Sequence, residues 1–386
     1  MIFLRRIPIS GLLLLVTLIM MNLPPAQAAD NNYLAYVGTY SDRGGKGIYA
    51  YRFDAKTGKL VDLGLAVATP DPSFLAISKD GKFLYAVNET STYQGQPTGS
   101  VSSFAIHKDS GKLTPLNTVS SRGPGPAHLV IDRSGKSVLV ANYDGGNVAV
   151  FPILENGGLG EASAFVQHRG SSVNPDRQKG PHAHDIAMSP DNRFALVADL
   201  GLDQIIVYPF DPAKGTLGTP HIVKVHPGAG PRHLAFSPNG KFVYLINEIQ
   251  SSIDAFSYSA ANGELRELQT VSTLPKEFKG ANDTAEIEVH PSGRFLYGSN
   301  RGQDSVVLFT IDPAKGTLTN AGFTLTRGKT PRNFAIDPTG HWLFAENHES
   351  DNFVIFKIDE KTGQLTPQGD ALHVPAPVCI KFVAIP

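Results

Sequence analysis

The sequence holds a single cysteine, Cys379, which excludes an intramolecular disulfide and a cysteine-based zinc cage. Charge of either sign is not in excess: 34 Lys and Arg face 35 Asp and Glu, a net charge of -1. Such a chain has no bulk attraction for phosphate backbones or anionic membranes, so nucleic acid is excluded as an expected partner. Helical bundles and coiled coils are excluded too, because 38 Gly and 28 Pro make about one residue in six a helix breaker. No GxSxG elbow, P-loop or HExxH occurs, leaving no recognisable nucleophile, phosphate cradle or zinc-protease helix. What is present is ordinary for a globular protein: 41% hydrophobic and 18% charged residues, ample material for a core.

One apolar stretch stands apart. Arg5 and Arg6 precede the run from Gly11 to Met21, and Ala26, Gln27 and Ala28 form the small-x-small pattern of a signal-peptidase site. The run is short for a membrane span of roughly 20 residues. The expectation is a signal peptide over residues 1–28 and a single mature domain over 29–386, located in the periplasm with no membrane anchor after cleavage. A lone cysteine suits an oxidising compartment, where a spare thiol is a liability.

The remainder repeats one motif. Strand-like segments carry an aromatic at Tyr51, Phe104, Phe151, Tyr208, Phe256, Phe309 and Phe356, spaced by 53, 47, 57, 48, 53 and 47 residues. Each is followed by a glycine-leucine turn signal, at Gly58/Leu60, Gly111/Leu113, Gly158/Leu159, Gly215/Leu217, Gly263/Leu265, Gly316/Leu318 and Gly363/Leu365. Ahead of six copies lies a hairpin signature, clearest from Pro231 to Glu248, with relatives starting near Pro72, Pro126, Pro181, Ala285 and Pro331. The unbroken apolar run Phe242 to Ile246 suggests a strand buried on both faces. A strand-rich period of about 50 residues is the mark of propeller blades. The first copy, near Tyr33, has no strand before it, and Val378 to Val383 is an orphan strand at the other end. Together they predict an all-β, seven-bladed β-propeller closed by pairing of the C-terminal strand with the N-terminal blade. Cys379 then belongs to a core strand.

Repeats allow equivalent positions to be compared within one chain. Asn88, Asn142, Asp199, Asn247, Asn300 and Asn347 recur at one position, as expected of strand-end residues that bond backbone groups. The next residue varies: Glu89, Tyr143, Leu200, Glu248, Arg301 and His348. A second variable position, ahead of each first strand, holds Ser73, Ala127, His184, Arg232, Ala285 and Arg332. The two outer ends of a hairpin lie on one side, so both sets should line one mouth of the ring. There His184, Arg232, Glu248, Arg301 and Arg332 can converge: an imidazole and a carboxylate able to move a proton, and guanidiniums able to hold an anion or a developing oxyanion. His182 and His184 alternate along an extended segment and should point the same way, but two ligands without a third make no metal site. Neither a metal nor a cofactor is expected. The insertion Gly170 to Gly180, which contains Arg177 and Gln178, should cover the funnel. Arg177, Gln178, His182, Tyr143, Arg332 and His348 are the candidate substrate-binding residues, and His128 and His233 are expected to pack or bond within their own blades.

The segments GAGPRHLAFSPNGKFVYLINE (Gly228 to Glu248), PHAHDIAMSPDNRFALVADLG (Pro181 to Gly201), AEIEVHPSGRFLYGSNRG (Ala285 to Gly302) and YVGTYS (Tyr36 to Ser41) closely resemble the seven-bladed propeller lactonases, the 6-phosphogluconolactonase and muconate-cycloisomerase group. The resemblance spans essentially the whole mature chain. It implies opening or closing of a lactone ring without a required metal, with the catalytic residues falling on His184, Arg232, Glu248 and Arg301. The signal peptide departs from a cytosolic sugar-phosphate enzyme, so the chain more nearly resembles a periplasmic gluconolactonase acting on D-glucono-1,5-lactone. Hydrolysis of 6-phosphogluconolactone, a muconate-type cycloisomerisation and a non-enzymatic binding platform are the alternatives. Either His184 or Glu248 could activate water; a carboxylate beside two guanidiniums should be the weaker base, which favours His184.

Overall fold

The computed structural model describes residues 32–385, and the expected signal peptide lies outside them. Strands arrange in seven antiparallel sheets, each with four positions running from the ring axis outward. Blade 2 uses Phe74–Ile77, Phe83–Asn88, Ser100–Ile106 and Leu113–Ser120. Blade 3 uses Pro126–Ile131, Ser137–Asn142, Asn147–Pro152 and Ala164–Gln167. Blades 5 and 6 begin with Pro231–Phe236 and Asp283–Val289 and are equally regular. In blades 4 and 7, which begin with Ala183–Met188 and Pro331–Ile336, two short strands share the outermost position. Among the described residues the sole helical element is one 3-10 turn, His348–Ser350.

Blade 1 closes the ring as the sequence predicts. Its inner strand, Pro377–Ala384, pairs antiparallel with Asn32–Thr39, matching Leu34 to Val383 and Val37 to Ile380. One sheet thus joins the two ends of the described chain, and Asn32–Thr39 is paired along both edges.

Second strands are apolar throughout because both their faces are covered. Phe194–Asp199, Phe242–Asn247 and Trp342–Asn347 are buried at every residue, whereas the outer strand Glu264–Ser272 is largely exposed. The core therefore lies between blades. Phe295, Tyr297 and Leu308 of blade 6 pack on Phe334, Leu343 and Phe356 of blade 7, and Phe344 and Phe353 of blade 7 pack on Val37, Phe53 and Ile380 of blade 1. Each fully buried aromatic contributes roughly 1.5–3 kcal/mol. The turn glycines fit this stacking: at Gly316, with φ of +72°, a Cβ would lie 2.2 Å from the Phe242 ring of the preceding blade. In blade 3 the left-handed residue is Gly157, one position before the expected Gly158, because the loop there turns earlier.

The recurrent Asn/Asp bonds backbone groups as expected, except that Asn247 donates to the Ser252 and Asp254 side chains. Asn88, Asn142, Asn300 and Asn347 are fully buried and donate to the backbone carbonyls of Pro70, Ser121, Thr273 and Thr326, fixing each second strand's end at the mouth.

Cys379 is fully buried in the closing strand, and burial pushes its thiol pKa up to about 12. A thiol reagent such as DTNB should therefore leave the native protein unlabelled and titrate one thiol once guanidinium unfolds it. Labelling of the native protein within minutes would show that the closing strand is not held in the ring.

Candidate active site

At one end of the ring axis, a cavity of about 330 Å³ is lined by Glu89, Ala127, Tyr143, Asp144, Arg177, His184, Glu248, Asp283, Arg301 and Arg332. Two local features deliver these side chains. The first is the residue after the recurrent strand-end Asn, at the mouth: Glu89, Tyr143, Glu248 and Arg301. The second is a β-bulge at the start of the inner strand. Pairing skips from Ala183 to Asp185, from Pro231 to His233, from Pro126 to His128 and from Pro331 to Asn333. The skipped residues are His184, Arg232, Ala127 and Arg332, so the extra residue is re-aimed out of the pleat. Ala127 of blade 3 has no long side chain at this position, and that leaves room in the cavity.

Glu248, 5% exposed, is the hub. Its Oε2 accepts from Arg232 Nε at 3.0 Å and lies 2.9 Å from Arg301 Nη2, while its Oε1 accepts from Arg177 Nη2. Burial alone would raise its pKa, but Arg301, Arg232 and Arg177 outweigh it and hold the carboxyl down to about 2. Arg232 is 2% exposed. It also donates through Nη1 to Ala285 O at 2.6 Å, with His233 Nε2 3.3 Å away. Burial first, then its Arg301 and Arg332 neighbours, lower its pKa to about 10, so it stays charged at neutral pH. Arg301 donates through Nη2 to Thr284 O at 2.9 Å, and its buried Nε has no partner.

His184, 4% exposed, has Nε2 at 3.9 Å from Glu248 Oε2, too far for a hydrogen bond, and its buried Nδ1 is unpartnered. Its ring meets Tyr143 edge-on at 5.3 Å and His233 at 5.1 Å. Burial, reinforced by Arg232, pushes its pKa well below the usual histidine value, so the ring is neutral at pH 7.

The other sequence candidates separate into two groups. Arg177, Tyr143 and Arg332 line the cavity: Arg177 Nη2 is 3.3 Å from Tyr143 Oη, and Arg332 Nη2 donates to Tyr40 Oη at 2.8 Å. His182, Gln178 and His348 do not. His182 stacks on the far face of the site, on Tyr143 at 4.5 Å, with Nδ1 3.0 Å from Tyr143 O; the bulge at His184 breaks the alternation that would aim both rings alike. Gln178 is fully buried and anchors its loop, donating to Leu200 O and Asp203 Oδ1 at 2.8 Å each. His348 faces Asp42 at 3.3 Å and the edge of Tyr40. His128 and His233 bond across blades rather than within them, to Asp185 at 2.9 Å and Glu286 at 3.0 Å, because inner strands of neighbouring blades meet at the axis. Among the described residues no group of three or more His, Cys, Asp and Glu side chains is placed to hold a metal.

Sequence reasoning passed over Tyr40, Asp144 and Asp283, and placed Glu89 at the mouth without giving it a role. Glu89 occupies the same position in its repeat as Glu248, which was the available signal. Tyr40 Oη donates to Glu89 Oε2 at 2.5 Å.

Comparison with known proteins fits this geometry. Residues 34–382 match the family described as lactonase, 7-bladed beta-propeller. The chain is 37% identical over 351 residues to a 6-phosphogluconolactonase of Bacillus subtilis, covering 91% of this chain and 98% of that one. A crystal structure of a putative 6-phosphogluconolactonase from Bacteroides fragilis superposes with a TM-score of 0.85 at 40% identity, covering 93% and 99% of the two chains. The periplasmic gluconolactonase of Pseudomonas aeruginosa superposes with a TM-score of 0.87 at 33% identity, covering 92% and 100%. With the fold, the closure and the match over nearly all described residues in agreement, the chain belongs to the lactonase family of seven-bladed β-propellers, carboxylic ester hydrolases that open a lactone ring.

Proposed function

We propose that the protein hydrolyses an unphosphorylated sugar lactone, D-glucono-1,5-lactone, outside the cytoplasm. Location is supported by the signal-peptidase pattern Ala26-Gln27-Ala28 after an apolar run, and the substrate by the likeness to a periplasmic gluconolactonase. The observation that carries the chemistry is the meeting, at one mouth, of a buried uncharged imidazole, His184, with Arg232 and Arg301, both oriented by Glu248, of which Arg301 keeps a buried, unpartnered Nε.

His184 takes a proton from water as its oxygen attacks the lactone carbonyl carbon. The carbonyl oxygen becomes a tetrahedral oxyanion, stabilised by Arg301 and Arg232. Collapse breaks the ring carbon–oxygen bond, and the imidazolium returns its proton to the departing alkoxide. The products are the free hydroxyl and the acid. Glu248 serves as the charge that gathers the guanidiniums; with its pKa at about 2 it is a poor base at neutral pH.

Proton release followed in a pH-stat, with chelator present and spontaneous hydrolysis subtracted, tests the reading on the chain from Ala29 onward. Faster hydrolysis of D-glucono-1,5-lactone than of 6-phosphogluconolactone is expected; no acceleration of either would contradict it. Arg301→Ala should lower kcat by roughly 10²–10³-fold with the thermal transition retained, and an unchanged kcat would remove Arg301 from the oxyanion site.

A further inference from the structure

Across the cavity from Glu248 lies a second polar cluster. Blades 1, 2 and 7 stand opposite blades 4 and 5 in a ring of seven, and these three supply Tyr40, Glu89 and Arg332. Tyr40 donates to Glu89 Oε2 at 2.5 Å and accepts from Arg332 Nη2 at 2.8 Å, and the Arg332 guanidinium lies over the Tyr40 ring at 5.3 Å. Glu89 Oε1 is 3.8 Å from Arg332 Nη2, beyond hydrogen-bond reach, so it accepts nothing from the protein. A carboxylate oxygen is thus held at the cavity wall by two rigid neighbours with its acceptor capacity unused. That is the arrangement a sugar hydroxyl needs.

The charge count at the wall bears on what the sugar carries. The lining guanidiniums are Arg177, Arg301 and Arg332, against the carboxylates Glu89, Asp144, Glu248 and Asp283. Arg177 and Arg301 are engaged by Glu248, Arg332 is turned to Tyr40 and Glu89, and no lysine is among the lining residues. Arg232, buried behind Glu248 and bonded to it, brings the guanidiniums only level with the carboxylates, so a phosphate dianion would find no surplus cation there and would meet carboxylates, whereas a neutral polyol loses nothing by the same surroundings.

We propose that Tyr40, Glu89 and Arg332 form a hydroxyl-reading subsite in which Glu89 selects an unphosphorylated sugar lactone over its phosphate ester. This rests on the lactonase reading and specifies the substrate class of the same cavity. Glu89 acts on binding and not on the reacting carbonyl, so its loss should appear in KM.

The test compares kcat/KM for D-glucono-1,5-lactone and 6-phosphoglucono-1,5-lactone in the wild type and in Glu89→Gln, which keeps the shape and removes the charge. The wild type should favour the unphosphorylated lactone. The variant should lower that preference by about tenfold, chiefly through KM. Tyr40→Phe, which removes only the hydroxyl that holds Glu89, should shift the preference in the same direction by less, and it carries the test if Glu89→Gln fails to fold. A preference unchanged by substitution, a wild type that favours the phosphorylated lactone, or an equal fall in kcat on both substrates would overturn the subsite while leaving the enzyme a lactonase. A wild type inert on both lactones would remove the lactonase reading and this subsite with it.

Discussion

The mouth of the ring is organised by the charge of Glu248. Three guanidiniums reach this one buried carboxylate from separate parts of the chain: Arg177 from the loop before blade 4, Arg232 from the inner strand of blade 5 and Arg301 from the second strand of blade 6. Removing such ions from water costs several kcal/mol each. The cost is offset only where geometry is held tightly, and here the stacked blades supply that rigidity. Closure of the ring by Pro377–Ala384 is therefore a condition for the site as much as for the fold, since blades free to splay would separate the three cations from their shared anion. Because Glu248 is saturated by its partners, the proposed mechanism gives it the orienting part and gives proton transfer to the uncharged imidazole beside it.

The same rigidity extends around and below the cavity. Bulges at the inner-strand starts turn His184, Arg232 and Arg332 toward the axis without interrupting the sheets behind them. Cross-blade pairs, His128 with Asp185 and His233 with Glu286, tie neighbouring inner strands beneath the site. Asp203 anchors both approaches to it: its Oδ1 and Oδ2 accept from Gln178, Ser172 and the backbone N–H groups of Gly228 and Gly230. The loop carrying Arg177 and the turn leading to Arg232 thus share one fastening. Donors fixed before substrate arrives need little reorganisation when negative charge develops.

The ring, its seven blades and its closure were legible in the sequence because each rests on a pattern repeated along the chain: the aromatic strand, the turn glycine and the matched incomplete ends. The convergence of His184, Glu248, Arg301, Tyr143 and Arg332 on one cavity, with Arg232 behind Glu248, was legible for the same reason, as variable positions of the repeat, while Arg177 was legible as part of an insertion in it. What was not legible depends on geometry that spacing does not encode. A bulge separates His182 from His184 although they alternate in sequence. Gln178, the one buried residue of an otherwise open loop, turns inward to donate to Leu200 O and Asp203 Oδ1, and His348 sits in a 3-10 turn that carries it toward Asp42. His128 and His233 bond to the inner strand of the next blade, a relation that exists only once neighbouring blades stand side by side. Glu89 was visible as the positional twin of Glu248, but its partner Tyr40 lies in blade 1, outside the six compared hairpins.

The account turns on His184 as the group that removes a proton from water, and chemical rescue tests this most directly. A His184→Gly variant should lose hydrolysis of D-glucono-1,5-lactone and regain it on addition of imidazole, in proportion to the uncharged fraction of the added base. A folded His184→Gly variant that turns over at the wild-type rate without imidazole would contradict it.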